Sequence, residues 1–276
     1  VGVLLGGISS LLYGVGDFLG GEGAKRVSAP TVVLWAGVVS FPLVVLVAGL
    51  FGGEASAVDL WLGAAAGATG AIGLVTLFFG LSRGQAAAVA PAAAAMSAVF
   101  PVSVAVIGGQ VLTPLTWSGV AIAAPAIILC SWVSEPGATP FGGLWYGLAA
   151  GVGFGAYTVI IDLTDDASEL LPLIPARAST MLVVLAVSLT GTWDLTSFRS
   201  TPRPVVVGNG VLDVAGNVAL LAGLHAGSLA AVAVAASFYP AVTVVMARVV
   251  NAERLRGRQV TGLAMALAAV AAIAAG

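Results

Sequence analysis

Gly80-Leu81-Ser82-Arg83-Gly84-Gln85-Ala86-Ala87-Ala88-Val89-Ala90 and Gly223-Leu224-His225-Ala226-Gly227-Ser228-Leu229-Ala230-Ala231-Val232-Ala233 are one pattern written twice, 143 residues apart. Gly-Leu opens both stretches, a glycine follows at Gly84 and Gly227, and Ala-Val-Ala closes both. The correspondence continues at the same offset through Gln110 and Glu253, Leu112 and Leu255, and Gly119 and Gly262. The offset is about half of the 276 residues, so the chain reads as two copies of one unit laid end to end. In a membrane protein such a duplication points to transport, because two related halves can rock about a shared central site.

The composition is that of a membrane protein. Hydrophobic residues make up 59% and charged residues 8%, and the mean hydropathy is +1.09. A soluble domain carries roughly a quarter charged residues, so this chain has too few to cover a water-exposed surface. No basic patch with interleaved aromatics occurs, which argues against nucleic acid as a partner. Cys130 is the only cysteine. It excludes an intrachain disulfide and a cysteine-built metal site, and it reads as a small apolar packing residue. The first residue is already apolar, with no charged leader segment, which suggests trimmed ends. No cofactor is expected.

Ten apolar runs are long enough to cross a bilayer: 2–22, 29–51, 58–80, 86–108, 115–133, 141–162, 171–191, 205–224, 228–250 and 257–275. The breaks between them are short and polar. None could hold a soluble domain. Helices fit better than barrel strands, because Ala92–Ala95 and Ala268–Ala275 show no alternation and are good helix formers. Gly2, Gly6 and Gly14 recur 141 residues later as Gly143, Gly147 and Gly155. Small residues at such spacing let helix backbones approach where lipid offers no hydrophobic drive. The expected fold is therefore an all-α polytopic membrane protein: ten transmembrane helices as two inverted five-helix repeats around a central cavity, with repeats at 1–138 and 139–276. An odd helix number turns the second copy over relative to the first. Pro101 and Pro240 lie 139 apart, one helical turn short of the repeat offset, and each loosens its helix by lacking an N–H.

The second copy resembles a known family. Gly223 through Val232, then Ser237-Phe238-Tyr239-Pro240, Thr243, Glu253-Arg254-Leu255, Gln259 and Gly262 look like the second repeat of EamA-type transporters, in the drug/metabolite transporter superfamily. The first copy is a looser match: Tyr13-Gly14 stands where the family has Trp-Gly, and Gln110 where it has Glu. The resemblance implies ten helices in two inverted halves around a cavity, and passage of small metabolites. Glu253, flanked by Arg254, Arg256 and Arg258, reads as a helix-start or interface residue.

Polar residues at membrane depth cost about 2.5–3.5 kcal/mol on insertion scales when charged, and so face the interior or a water-filled cavity. Asn209, Asp213 and Asn217, spaced i, i+4, i+8, fall near one stripe of the eighth helix. Tyr13 and Asp17 share a face of the first helix. Trp35, Tyr157 and Tyr239 complete the expected substrate-binding set with Asn209, Asp213, Asn217 and Tyr13, since aromatic rings suit an organic solute. Asp17 and Asp213 are the candidates for proton or cation coupling. No catalytic or metal-binding residue is expected. Trp61, Trp117, Trp132, Trp145 and Trp193 read as interface anchors, and His225 as a solvated turn residue.

These features point to a secondary transporter for a small organic metabolite such as an amino acid or amine, exporting it across a bacterial cytoplasmic membrane. The partners expected are that solute, the lipid bilayer and a proton or cation, with the chain acting as a monomer or homodimer. A lipid scramblase or a non-transporting scaffold is the alternative. An intramembrane enzyme is disfavoured, because one histidine and one cysteine leave little material for a nucleophile–base pair or a metal site. Counting Lys and Arg places the connections after odd-numbered helices in the cytoplasm, with only Arg177 in the even ones. The family resemblance implies the reverse orientation, with both termini inside.

Overall fold

The computed structural model describes residues 1–83, 86–109, 111, 113–131, 143–189, 203–251 and 257–275. Gln110, Leu112, Trp132, Trp193, Glu253, Arg254, Leu255 and Arg256 lie outside them, as does the side chain of Cys130. Among the described residues there is no strand. In chain order the α-helices are α1 (Gly2–Ala24), α2 (Ala29–Phe51), α3 (Ala57–Ser82), α4 (Ala86–Ile107), α5 (Pro114–Ser131), α6 (Leu144–Asp162), α7 (Leu173–Val187), α8 (Arg203–His225), α9 (Leu229–Ala236), α10 (Tyr239–Asn251) and α11 (Gly257–Ala275). One 3-10 turn, Asp166–Ser168, sits between α6 and α7.

Local chemistry sets several of these limits. Ser28 caps α2, accepting from the Thr31 amide at 3.3 Å, and Pro30 occupies the first turn, where its missing N–H costs nothing. Gly52 ends the same helix with a φ of 77°, a conformation that glycine adopts without penalty. Ser56 and Asp59 form a capping box at the start of α3: the Asp59 amide donates to the Ser56 hydroxyl oxygen at 3.2 Å, and the Ser56 amide donates to Asp59 Oδ2 at 2.8 Å. This arrangement satisfies amides that the helix itself leaves open. The second carboxylate oxygen of Asp59 accepts from the Asp165 amide at 2.9 Å, which ties the start of α3 to the α6–α7 connection.

The helices α1, α2, α3, α6 and α8 are long and apolar enough to cross a membrane. Their outward residues are large and apolar, as a lipid-facing surface requires. Leu4, Leu46, Trp61 and Trp145 are all more than half exposed. The ninth apolar run departs from expectation. It holds two helices rather than one, with Ser237 and Phe238 forming a turn between α9 and α10. Pro240 has no N–H to donate to the carbonyl of Ala236, so the helical ladder fails there. Pro101, its offset partner in the first half, lies within the unbroken α4.

Packing relies on glycine. α3 meets α7 where a side chain on Gly63 or Gly67 would overlap the carbonyls of Pro172 and Ala176. α6 meets α3 where one on Gly153 would come within 2.8 Å of the Thr69 carbonyl. α1 packs on α8, α9 and α10, and α6 packs on α3 and α4. Backbone-to-backbone seams of this kind supply the van der Waals contact that holds helices together in lipid.

Candidate functional site

A cavity with about 680 Å³ of empty space, part of it open to the outside, lies among α1, α3, α4, α6, α7, α8, α9 and α10. From α1 come Tyr13 and Asp17, one turn apart on the same face. From α6 come Phe154 and Tyr157, and from α8 come Asp213 and Asn217. Tyr239, the first residue of α10, and Ser237, in the turn before it, complete the α9–α10 side.

The rings reach the cavity because glycines on the neighbouring helix receive them. Tyr13 lies over Gly216 of α8, where an added Cβ would stand 2.7 Å from the ring. Phe154 lies over Gly73 of α3 at 2.6 Å on the same measure, and Tyr157 over Gly70 at 3.1 Å. Phe154 and Tyr239 meet edge to face, with centroids 5.8 Å apart and planes at 89°, an arrangement favoured by the ring quadrupoles.

The polar groups form a tied set and an untied set. In the tied set, Arg177 of α7 is ion-paired with Asp213 of α8, and their side chains are only 10% and 13% exposed. Asn217 accepts from the Tyr157 hydroxyl at 2.5 Å and donates through Nδ2 to the Asp213 carbonyl at 2.7 Å. Thr180, one turn beyond Arg177, donates to the Gly67 carbonyl at 2.8 Å. Together these bonds knit α8 to α6 and α7, and α7 to α3. A smaller pocket of about 270 Å³ adjoins the cavity through Tyr157, Arg177, Thr180 and Asn217, with Val44 and Leu173 on its walls.

The untied set holds Asp17. Asp17 is 6% exposed, and among the described residues its carboxylate has no hydrogen bond and no ion pair. Tyr239 is also 6% exposed, and its hydroxyl lies beside Ser97. Buried polar groups are normally satisfied, which sets Asp17 apart from the tied set.

Six of the residues singled out from sequence line this cavity: Tyr13, Asp17, Tyr157, Asp213, Asn217 and Tyr239. Asn209 does not. It is buried at 4% exposure, and its Nδ2 donates to the Gly16 carbonyl at 2.7 Å, clamping α8 to α1. Trp35 does not line it either, and sits half-buried on α2. Arg177 was assigned by the charge count to a connection between helices. It stands inside α7, buried and paired, so it says nothing about which loops face the cytoplasm. The signal for it was available, because an arginine six residues into an apolar run must find a partner. His225 closes the last turn of α8, its side chain 18% exposed and its Nε2 3.8 Å from Asp166, so it is not a freely solvated turn residue.

The chain superposes on one solved crystal structure over 99% of its own length and 96% of the other chain, with a TM-score of 0.65 and 18% identity. At that identity the likeness is one of fold alone. No curated protein matches the sequence. Residues 141–275 match the EamA-like transporter family, so the second half of this multi-pass membrane protein is similar to an EamA-like transporter.

Proposed function

We propose that this protein is a secondary transporter that carries a small organic metabolite across a bacterial cytoplasmic membrane by alternating access, in the direction of export. One observation carries the reading: polar side chains from α1, α6, α7, α8 and α10 converge on one cavity walled by apolar helices. Tyr13, Tyr157, Asp213, Asn217 and Tyr239 would hold the solute, and Asp17 would serve as the coupling group. Asn209 holds two helices together.

The ten crossings form two inverted five-helix repeats, with α9 and α10 together counting as one broken crossing. Reciprocal packing supports this arrangement. Gly6 of α1 abuts the carbonyl of Val232, and Gly147 of α6 abuts that of Val89. The two glycines are 141 apart and the two valines 143. The pairs Tyr13 on Gly216 and Phe154 on Gly73 repeat the relation.

The test is solute flux. The purified protein is placed in liposomes and offered labelled amino acids, amines and nucleosides, with and without a pH gradient. Saturable uptake of one class, reduced in Asn217→Ala, is the expected result. Movement of labelled lipid between leaflets with no solute uptake would replace the transporter reading with a scramblase.

A further inference from the structure

We propose that the cargo of this cavity is an organic ammonium ion of single positive charge that carries no carboxylate, with Asp17 as its counter-charge. The proposal rests on the transport reading above and narrows it to one chemical class.

The first support is the charge of the wall. Three ionisable groups of fixed sign line the cavity: Asp17, Arg177 and Asp213. Arg177 and Asp213 are paired with one another and cancel. Asp17 remains, buried and without a partner among the described residues. An uncompensated carboxylate in a low-dielectric site attracts one positive charge.

The second support is the wall's apolar and aromatic character. Gly70, Leu74, Leu220, Ala233 and Ala236 present no polar side-chain atom to the cavity. An organic cation brings apolar surface of its own. Phe154 and Tyr239, edge to face at 5.8 Å, offer π faces of the kind that bind ammonium groups. The Tyr239 hydroxyl, in the cavity lining with Asp17, can accept from an N–H.

The third support is an exclusion. An anion, or the carboxylate of an amino acid, needs a cation to receive it. Arg177 is the only lining cation among the described residues, and it is already held by Asp213. To seat a carboxylate the protein would have to break that buried pair and leave Asp213 without a counter-charge, which is a strongly unfavourable exchange. Amines without a carboxylate avoid it.

A matched series tests the class: phenethyltrimethylammonium, phenylalanine and phenylacetate share a ring and differ in charge. Each labelled compound is presented to the purified wild-type protein in liposomes. The expected result is saturable uptake of the ammonium ion, with the zwitterion and the anion at least tenfold slower. Asp17→Asn should lower ammonium uptake at least tenfold, Asp17→Glu should keep a substantial part of it, and both variants should elute as the wild type does in size exclusion. The wild-type series needs no variant, so it stands if Asp17→Asn does not fold. Faster uptake of phenylalanine or phenylacetate than of the cation would overturn the assignment and leave the transporter standing. So would flux of an uncharged solute with none of the three. Lipid movement without any solute flux would overturn both readings. Undiminished ammonium uptake in Asp17→Asn would remove Asp17 as the counter-charge.

Discussion

α3 and α8 hold matching places in the molecule and differ in chemistry. Gly70 and Leu74 of α3 lie 143 residues before Asp213 and Asn217 of α8, and all four line the same cavity. Ala66 and Asn209, another pair at that offset, are both buried outside the lining. Each helix also seats an aromatic ring, Phe154 on Gly73 and Tyr13 on Gly216. The small residues that permit close packing therefore recur on both helices, while the polar lining residues of this pair occur on α8 alone. The difference follows from what buried polarity requires. α8 can carry Asp213 and Asn217 because α7 brings Arg177 and α6 brings Tyr157. At the offset of the first helices, Tyr157 corresponds to Gly16, which has no hydroxyl to give.

The comparison can be broken most forcefully at the ion pair. Asp213→Ala leaves Arg177 buried without its counter-charge and should cost about 3–5 kcal/mol, read as a fall in thermal unfolding midpoint in detergent. Combining Arg177→Met with Asp213→Leu should recover most of that loss. A single variant as stable as the wild type would mean that α8's polarity is not held by its neighbours.

The seats come next. Gly216→Ala would place a Cβ 2.7 Å from Tyr13, and Gly73→Ala one 2.6 Å from Phe154. Overpacking of this kind costs about 1–3 kcal/mol. Similar losses for the two variants would extend the equivalence of α3 and α8 to energetics. A loss in only one would restrict it to shape.

Smaller effects sharpen the picture. Tyr157→Phe removes the hydroxyl that Asn217 accepts from and should cost about 1 kcal/mol, again by unfolding midpoint. Asn209→Ala removes the bond to Gly16. Interhelical hydrogen bonds in membranes average about 0.6 kcal/mol, so this should be the mildest of the set. It should also leave solute uptake unchanged, because Asn209 stands outside the cavity. A large loss of uptake with normal stability would return Asn209 to the site.

Much of the helix order was legible, because lipid demands long apolar runs and the turns between them gather the polar residues. Runs such as 2–22, 29–51 and 257–275 fall on α1, α2 and α11 almost residue for residue. The break between α9 and α10 was hidden, since Ser237 and Phe238 interrupt no apolar pattern and Pro101 lies in a continuous helix. In the site, the i, i+4, i+8 stripe was sound only over two residues. Each four-residue step turns about 40° around a helix of 3.6 residues per turn, so Asn209 stands about 80° from Asn217 and meets α1 instead of the cavity. Trp35 fails for a different reason: in a chain apolar on every face, hydropathy does not separate the side of a helix that meets lipid from the side that meets protein.

The glycine seams carry one more consequence. α1 belongs by sequence to the first half, yet its closest backbone approaches are to the second, where Gly2 meets Gly223 and Gly227, and Gly14 meets the Tyr239 carbonyl. α6 belongs to the second half and approaches the first, where Gly147 and Gly151 meet the carbonyls of Val89 and Ala93. The halves read from sequence and the helices in closest backbone approach are thus different partitions of the chain. A chain severed between α5 and α6 would yield two fragments, each holding the other's cornerstone, and neither would be a sound building without the exchange.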